Sequence, residues 1–217
     1  MAAELGGHFL DHFADGARAV AEYPGPSLAD ELFDGVRELG EPVPVWAVTG
    51  AATGATSATV GRHIRRNGLP TRLAVADPEH SAYFPAWASG AADYATGMPS
   101  RVPGIGRPRV EPGFLAEVVD MVVPVPDAAG AAAHRWLHAA GVPSGPATGT
   151  GWWALCRLLA RTAHPSGTYV LVSGDSAPPV PVPVPDAGQD AYGACLAAYL
   201  ASGGTAAASE EFRRGSP

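Results

Sequence analysis

Apolar positions along this chain fall into two rhythms. Short, largely apolar runs occupy 43–48, 71–76, 118–125 and 169–173, with Arg72 and Asp120 the charged residues within them. Runs of that length, bounded by Gly, Pro or polar residues, predict strands buried on both faces. Before and between them lie stretches with helical spacing over 27–39, 57–67, 127–140 and 151–162, and in the second of these Val60 and Ile64 stand four apart. Ser27 is placed to cap the first helix, with Asp30 and Glu31 in its opening turns. Strand, helix and strand over 43–76 make a βαβ unit, which favours parallel pairing. The expected fold class is α/β, a three-layer α/β/α sandwich on a mostly parallel sheet.

The remaining segments carry weaker patterns. Residues 83–109 are rich in Gly, Pro and Ala and read as a long functional loop or a small excursion. Four prolines alternate with apolar residues in the latter part of 178–185, a run that can hold no strand ladder and predicts polyproline II. A helix is expected over 186–200 and a frayed end over 205–217. The organisation expected is therefore a crossing segment and first helix over 1–40, an α/β lobe over 41–177, and a Pro-rich linker, helix and frayed tail over 178–217. There is no internal repeat.

Composition narrows the class. With 217 residues and 47% hydrophobic content the chain can bury a substantial core. A net charge of −7 argues against nucleic acid as a partner, and Arg62, Arg65 and Arg66 read as the solvated face of one helix. No apolar run approaches the roughly 18 residues of a membrane span, and no charged start precedes an apolar core as in a secretory leader. The expected location is cytoplasmic. Cys156 and Cys195 show no Cys-x-x-Cys spacing and read as free thiols, with no metal site assigned. All 14 residues in the Lys+Arg count are arginines, so the chain contains no lysine. Two isoleucines, one asparagine and one glutamine beside heavy Ala, Gly, Pro and Arg usage point to a GC-rich coding bias.

The chemistry concentrates in 49–66, where a strand end, a small-residue loop and a helix start follow one another. Such a turn presents free backbone N–H groups and the positive end of a helix dipole to an anion. A P-loop would need lysine where Ala55 stands, so Walker-type nucleotide binding is out. Thr49-Gly50-Ala51-Ala52-Thr53-Gly54 resembles the opening of a short-chain dehydrogenase loop, with Asp77 ending the next strand as the acidic partner of an NAD(P)-binding Rossmann protein. That alternative is weakened by Ala55 and Thr56 and by the missing lysine of that family's catalytic tyrosine-lysine pair.

A further resemblance covers more of the chain, from Gly6 to about Ser176. Ala52-Thr53-Gly54-Ala55-Thr56 occupies the place of the Gly-Thr-Gly-Gly-Thr phosphate loop of the cysteine synthase and cystathionine β-synthase family, the fold-type II enzymes that use pyridoxal phosphate. The segment from Gly7 through Phe13 resembles the one leading out of that family's small domain. Asp77-Pro78-Glu79-His80-Ser81 is similar to the stretch after the next strand. The most specific match runs from Gly104 through Pro112, close to the actinobacterial cysteine desulfhydrase and cysteine synthase branch. Pro146-Ala147-Thr148-Gly149-Thr150 falls where the family places the serine that bonds the pyridine nitrogen.

The resemblance implies the large, C-terminal lobe of such an enzyme, pyridoxal phosphate as cofactor, and Ala52, Thr53, Gly54, Ala55, Thr56 and Ala147 as the residues that would hold it. It implies β-replacement or β-elimination on cysteine or O-acetylserine. The family's Schiff-base lysine belongs to a part preceding the matched segments, so no catalytic residue is assigned and the chain is expected to be inactive alone, as a truncated and divergent relative. Ala147 can neither donate to nor accept from a ring nitrogen, and left-handed backbone at Ala52 or Ala55 would cost roughly 1–2 kcal/mol. A non-catalytic partner or regulatory lobe of an intact family member is the alternative. A homodimer or a lysine-bearing family member is the expected partner, with a small amino-acid substrate only when so complemented.

Other constellations carry less. His134 and His138 share a helix face at i, i+4 without a third ligand and read as a partly exposed polar face. His8, Asp11 and His12 read as packing. Asp175-Ser176 follows a strand end, where a capping role suffices. Trp152 and Trp153 read as core or subunit contact. No Gly-x-Ser-x-Gly elbow exists.

Overall fold

A computed structural model describes residues 3–7, 9, 11–13, 15–16, 25–162, 166–174 and 188–214. Four strands, β1 (Trp46–Gly50), β2 (Arg72–Pro78), β3 (Met121–Val125) and β4 (Tyr169–Leu171), pair in the order β3-β2-β1-β4. Every pairing is parallel, with Val48 opposite both Ala74 and Leu171. Alternate residues face opposite sides, as strand pleating requires. Trp46, Val48, Ala74, Ala76, Val123 and Val125 pack beneath α4 (Asp127–Ala139), α5 (Pro146–Arg161), α6 (Gln189–Ala201) and α7 (Ala206–Arg214). Ala47, Leu73, Val75 and Val122 face α1 (Leu28–Glu38), α2 (Ala55–Arg66) and α3 (Tyr83–Ser89). Helices thus cover both faces of a parallel sheet, as expected from the short apolar runs.

Local chemistry explains where the elements start. Ser27 and Asp30 form a reciprocal capping box on α1, with the Ser27 amide donating to Asp30 Oδ2 at 2.7 Å. The serine cap was foreseen, and Asp30 is the acid that closes the box. Helix α5 begins five residues before the expected 151, because Pro146 suits the first helical position and Gly149 and Gly151 lie inside the helix. Those glycines permit close packing: a Cβ on Gly149 would lie 2.5 Å from His134 Cβ, and one on Gly151 2.6 Å from Leu171 Cδ1. Residues 116–118 form a 3₁₀ turn, so the third strand is shorter than the apolar run over 118–125. The loop expected over 83–109 contains α3 and an isolated antiparallel bridge between Ala95 and Arg109.

The C-terminal region departs most from expectation. Residues 206–214, read as part of a frayed end, form α7. Its Phe212 is 1% exposed and packs on Trp153 and Tyr199, with ring centroids 4.8 and 4.6 Å away. Burying such a ring contributes roughly 1.5–3 kcal/mol, enough to hold a short helix that propensity alone would not. The polyproline run over 178–185 lies outside the described residues. Among the described residues no helix is long and apolar enough to cross a membrane.

Candidate functional site

A cavity of about 490 Å³ opens beyond the carboxyl ends of β1 and β4. Its walls are the loop 50–56, residues 103–105, the start of α5 at 145–147, residues 172–174 and Leu28. All six positions singled out from the sequence, Ala52, Thr53, Gly54, Ala55, Thr56 and Ala147, line it. The carboxyl edge of a parallel sheet is where α/β folds place ligands, because there the loops diverge and helix N-termini point inward.

Gly54 makes the turn. It sits at φ 86°, and a Cβ there would meet Phe114 N at 2.4 Å and Gly113 C at 2.5 Å. Only glycine fits, on both backbone and packing grounds. Ala52 and Ala55 are different: among the described non-glycine residues only His80 has positive φ. The backbone cost anticipated for the two alanines therefore does not arise. Gly54 leaves α2 without a side-chain cap. Thr53 Oγ1 accepts from the Ala55 amide at 3.2 Å, and the Gly54 carbonyl accepts from Ala58 N at 2.9 Å and from Ser57 Oγ at 3.0 Å. The amides of Thr56 and Ser57 lie in the first turn, where no carbonyl four residues back exists within the helix.

A second helix start faces the same space. Pro146 opens α5, and Thr148 Oγ1 and Ser173 Oγ lie 2.9 Å apart, tying that start to the end of β4. Among the described residues no charged side chain lines the cavity. An anion there would be held by amide dipoles and by the hydroxyls of Thr53 and Thr56, which fits a phosphate group. Ala147 offers only a methyl to a heterocycle placed beside it.

Asp77 takes no part in this cavity. Its Oδ2 accepts from the Phe84 amide at 2.8 Å in the first turn of α3, and the residue is 2% exposed. Burial pushes its pKa up to about 6, against the pull of the Ser81 hydroxyl and the Phe84 amide. Asp127 is likewise buried and raised to about 6, by burial and then by the charge of Glu79. The dinucleotide reading requires the acid at the end of β2 to reach a ligand shared with the β1 loop; here it is spent on α3.

The other sequence-level sites resolve into packing. His134 and His138 both place Nε2 on the Ser144 carbonyl, at 2.9 and 2.8 Å. His134 is buried, not part of an exposed face, and the pair pins the turn that leads into α5. Among the described residues no group of three His, Cys, Asp or Glu could hold a metal. Trp153 is core, while Trp152 stacks on Trp136 at 5.7 Å. Cys156 is a free, buried thiol pushed up to about 12 by burial, and Cys195 is also free. Arg65, on the arginine face of α2, pairs with Asp120 at 2.9 Å. The Asp11 carboxylate accepts from Phe13 N at 3.1 Å, and the exposed His12 ring lies against Phe13. His8, Asp175 and Ser176 lie outside the described residues.

Two residues were missed by sequence reasoning. Tyr83, fully buried, donates from its phenol to the Ala52 carbonyl. Glu111, 1% exposed, accepts from Arg107 Nε at 3.1 Å and Arg109 Nε at 3.4 Å. The alternation of arginines and acid within 104–112 was the signal available for Glu111; nothing local marks Tyr83.

A parallel sheet whose carboxyl edge carries two helix starts and a neutral small-residue loop defines an α/β protein with a cleft suited to an anionic group. The chain belongs to the pyridoxal-phosphate dependent enzyme family, whose sequence profile matches residues 1–175. L-cysteine desulfhydrase Cds1 of Mycobacterium tuberculosis is 47% identical over 179 residues, covering 81% of this chain and 49% of that protein. A pyridoxal-phosphate dependent protein of Caenorhabditis elegans is 30% identical over 126 residues, 49% of this chain and 27% of its own length. The chain thus spans about half the length of the first relative and less of the second. The crystal structure of the hydrogen sulfide-producing enzyme of Fusobacterium nucleatum superposes with a TM-score of 0.60 over 74% of this chain and 44% of that one, at 19% identity, a likeness of fold. The family resemblance drawn from 52–56, 104–112 and 146–150 is borne out.

Proposed function

We propose that these residues form the phosphate-holding lobe of a pyridoxal-phosphate-dependent enzyme of cysteine metabolism, working by β-elimination or β-replacement on cysteine or O-acetylserine. The observation that carries this reading is the convergence of Ala52, Thr53, Gly54, Ala55, Thr56 and Ala147 on one cavity between two helix starts. The substrate class is supported by the name of the 47% identical relative.

When bound, pyridoxal phosphate supplies an electron-withdrawing ring that stabilises negative charge at the substrate α-carbon. This chain's own residues bind and orient. The loop amides and the α2 dipole offset the phosphate charge, worth about 0.3–1 kcal/mol per favourable dipole contact and more where water is excluded. Ala51, Ile105 and Val172 give the rest of the cavity an apolar lining that keeps water from the ring. No residue among the 217 offers a lysine amine to hold the cofactor or take the α-proton. The amine comes from outside these residues, and these 217 residues alone bind without turnover. A second reading, a non-catalytic partner or regulatory lobe for a lysine-bearing family member or a second copy, is favoured by one observation: Ala147, which lines the cavity where the family resemblance expects a serine, carries only a methyl.

The test is an absorbance titration of the purified 217-residue chain with pyridoxal phosphate, repeated with a lysine-bearing family member added, together with sulfide release from cysteine. Saturable binding alone, with sulfide above the added member's own level only in the mixture, supports the split of roles. Binding in both arms without added sulfide supports the non-catalytic reading. No binding in either arm overturns the cofactor assignment. Ala147→Ser should tighten pyridoxal phosphate binding about threefold to tenfold, one neutral hydrogen bond, while leaving inorganic phosphate affinity unchanged.

A further inference from the structure

The carbonyls of the phosphate loop are held from behind. Ala51 O accepts from the Gly106 amide at 2.7 Å, and Ala52 O accepts from the Tyr83 phenol. Neither Gly106 nor Tyr83 lines the cavity, so both carbonyls point away from it. A trans peptide is planar, and its N–H points opposite to its C=O. No cis bond occurs among the described residues. Anchoring the Ala51 and Ala52 carbonyls therefore aims the amides of Ala52 and Thr53 toward the cavity. Among the described residues neither amide has a protein acceptor.

We propose that Tyr83 is a positioning residue of the phosphate site: its phenol holds the Ala52 carbonyl outward and so presents the Thr53 amide to the anion. This rests on reading the cavity as a phosphate site and adds a residue that sits behind the loop, 30 positions from the amide it orients. Tyr83 is suited to the task. Its ring is fully buried and stacks on Phe114, with centroids 4.3 Å apart and planes 24° apart. Phe114 in turn supplies the backbone against which Gly54 closes. Helix α3 is fixed at its start by Asp77 on the Phe84 amide at 2.8 Å. Burial, and then the neighbouring Glu111 carboxylate, hold the phenol well above the ordinary tyrosine range, so it remains a donor at any working pH. Without the hydroxyl, the Ala52 peptide is free to turn. A turned peptide would remove one donor and present a carbonyl oxygen to a dianion.

Tyr83→Phe keeps the ring stacked and removes only the donor. Inorganic phosphate and pyridoxal phosphate are titrated into both proteins, with thermal unfolding recorded alongside. The expected result is at least tenfold weaker binding of both ligands by the folded variant. A purely structural tyrosine would lower the unfolding midpoint and leave the affinities equal, which would overturn the assignment. If the unsubstituted protein binds neither ligand, the phosphate-site reading falls and this inference with it; if it binds and the variant matches it, only the inference falls. Should Tyr83→Phe fail to fold, the decisive measurement is amide chemical shifts of the unsubstituted protein on phosphate addition. The Thr53 amide proton is expected among the largest movers, and its standing still while other loop amides move would refute the proposal.

Discussion

The ends of β1 and β2 are adjacent in one parallel sheet, and each runs into a helix at the same edge, yet they finish in opposite chemistry. After β1 the chain turns through Gly54 and leaves α2 uncapped, with a neutral loop and a cavity in front of it. At the end of β2 a buried carboxylate, Asp77, reaches the first turn of α3 and occupies the donor that a ligand could have used. A helix N-terminus becomes a binding site only where the protein leaves its donors unspent. The same comparison separates two readings of the 49–54 loop, since a dinucleotide site needs the second strand end to serve a ligand and here it serves the fold.

Breaking the first end should have the largest effect. Gly54→Ala forces a Cβ to within 2.4 Å of Phe114 N in a left-handed turn. It should cost about 2–5 kcal/mol of stability and abolish phosphate binding, read by denaturant unfolding and ligand titration. A variant that stays stable and binds would show that the loop has another conformation.

Converting the first end into a copy of the second sharpens the contrast. Thr56→Asp places a carboxylate in the first turn of α2, where the dipole should reward it with about 0.3–1 kcal/mol of stability. The same charge should repel a phosphate and weaken its binding at least tenfold. Stability and affinity moving in opposite directions is the diagnostic result.

Relieving the second end should have the smallest effect on binding and an effect on stability that depends on pH. The folded pKa of Asp77 is raised from 3.8 to about 6, so between these values the folded state holds a proton that the unfolded chain has lost. The stability this gives is present below about pH 4, is lost as pH rises to about 6, and is flat above. Asp127 has the same sign over the same window. Asp77→Asn keeps an acceptor for Phe84 N and removes the buried charge. It should raise stability at pH 8 on the order of 1–2 kcal/mol and flatten part of the decline between pH 4 and 6, without altering phosphate affinity. A loss of affinity would place Asp77 in the site after all.

Much of the architecture was legible because it is written in short-range patterns. The short apolar runs identified the buried parallel strands, and Ser27 marked a helix start through a rule that involves only neighbouring residues. Where expectation failed, distant contacts had overruled local pattern. Helix α5 tolerates Gly149 and Gly151 because α4 and β4 press against it there. Helix α7 exists because Phe212 finds Trp153 and Tyr199. His134 is buried because the turn before α5 brings the Ser144 carbonyl to it.

By itself the sequence determined the family, the parallel strands with the helices between them, the small-residue loop and the absence of lysine, since each depends on residue identity and near neighbours. Only the tertiary structure decided that Ala147 meets 52–56 across some ninety residues, that Asp77 is turned away from that meeting, and that Tyr83 stands behind it. Periodicity and turn chemistry act over a few bonds. Which donors are spent, and which way a peptide plane faces, follow from the packing of segments that the chain brings together only when folded.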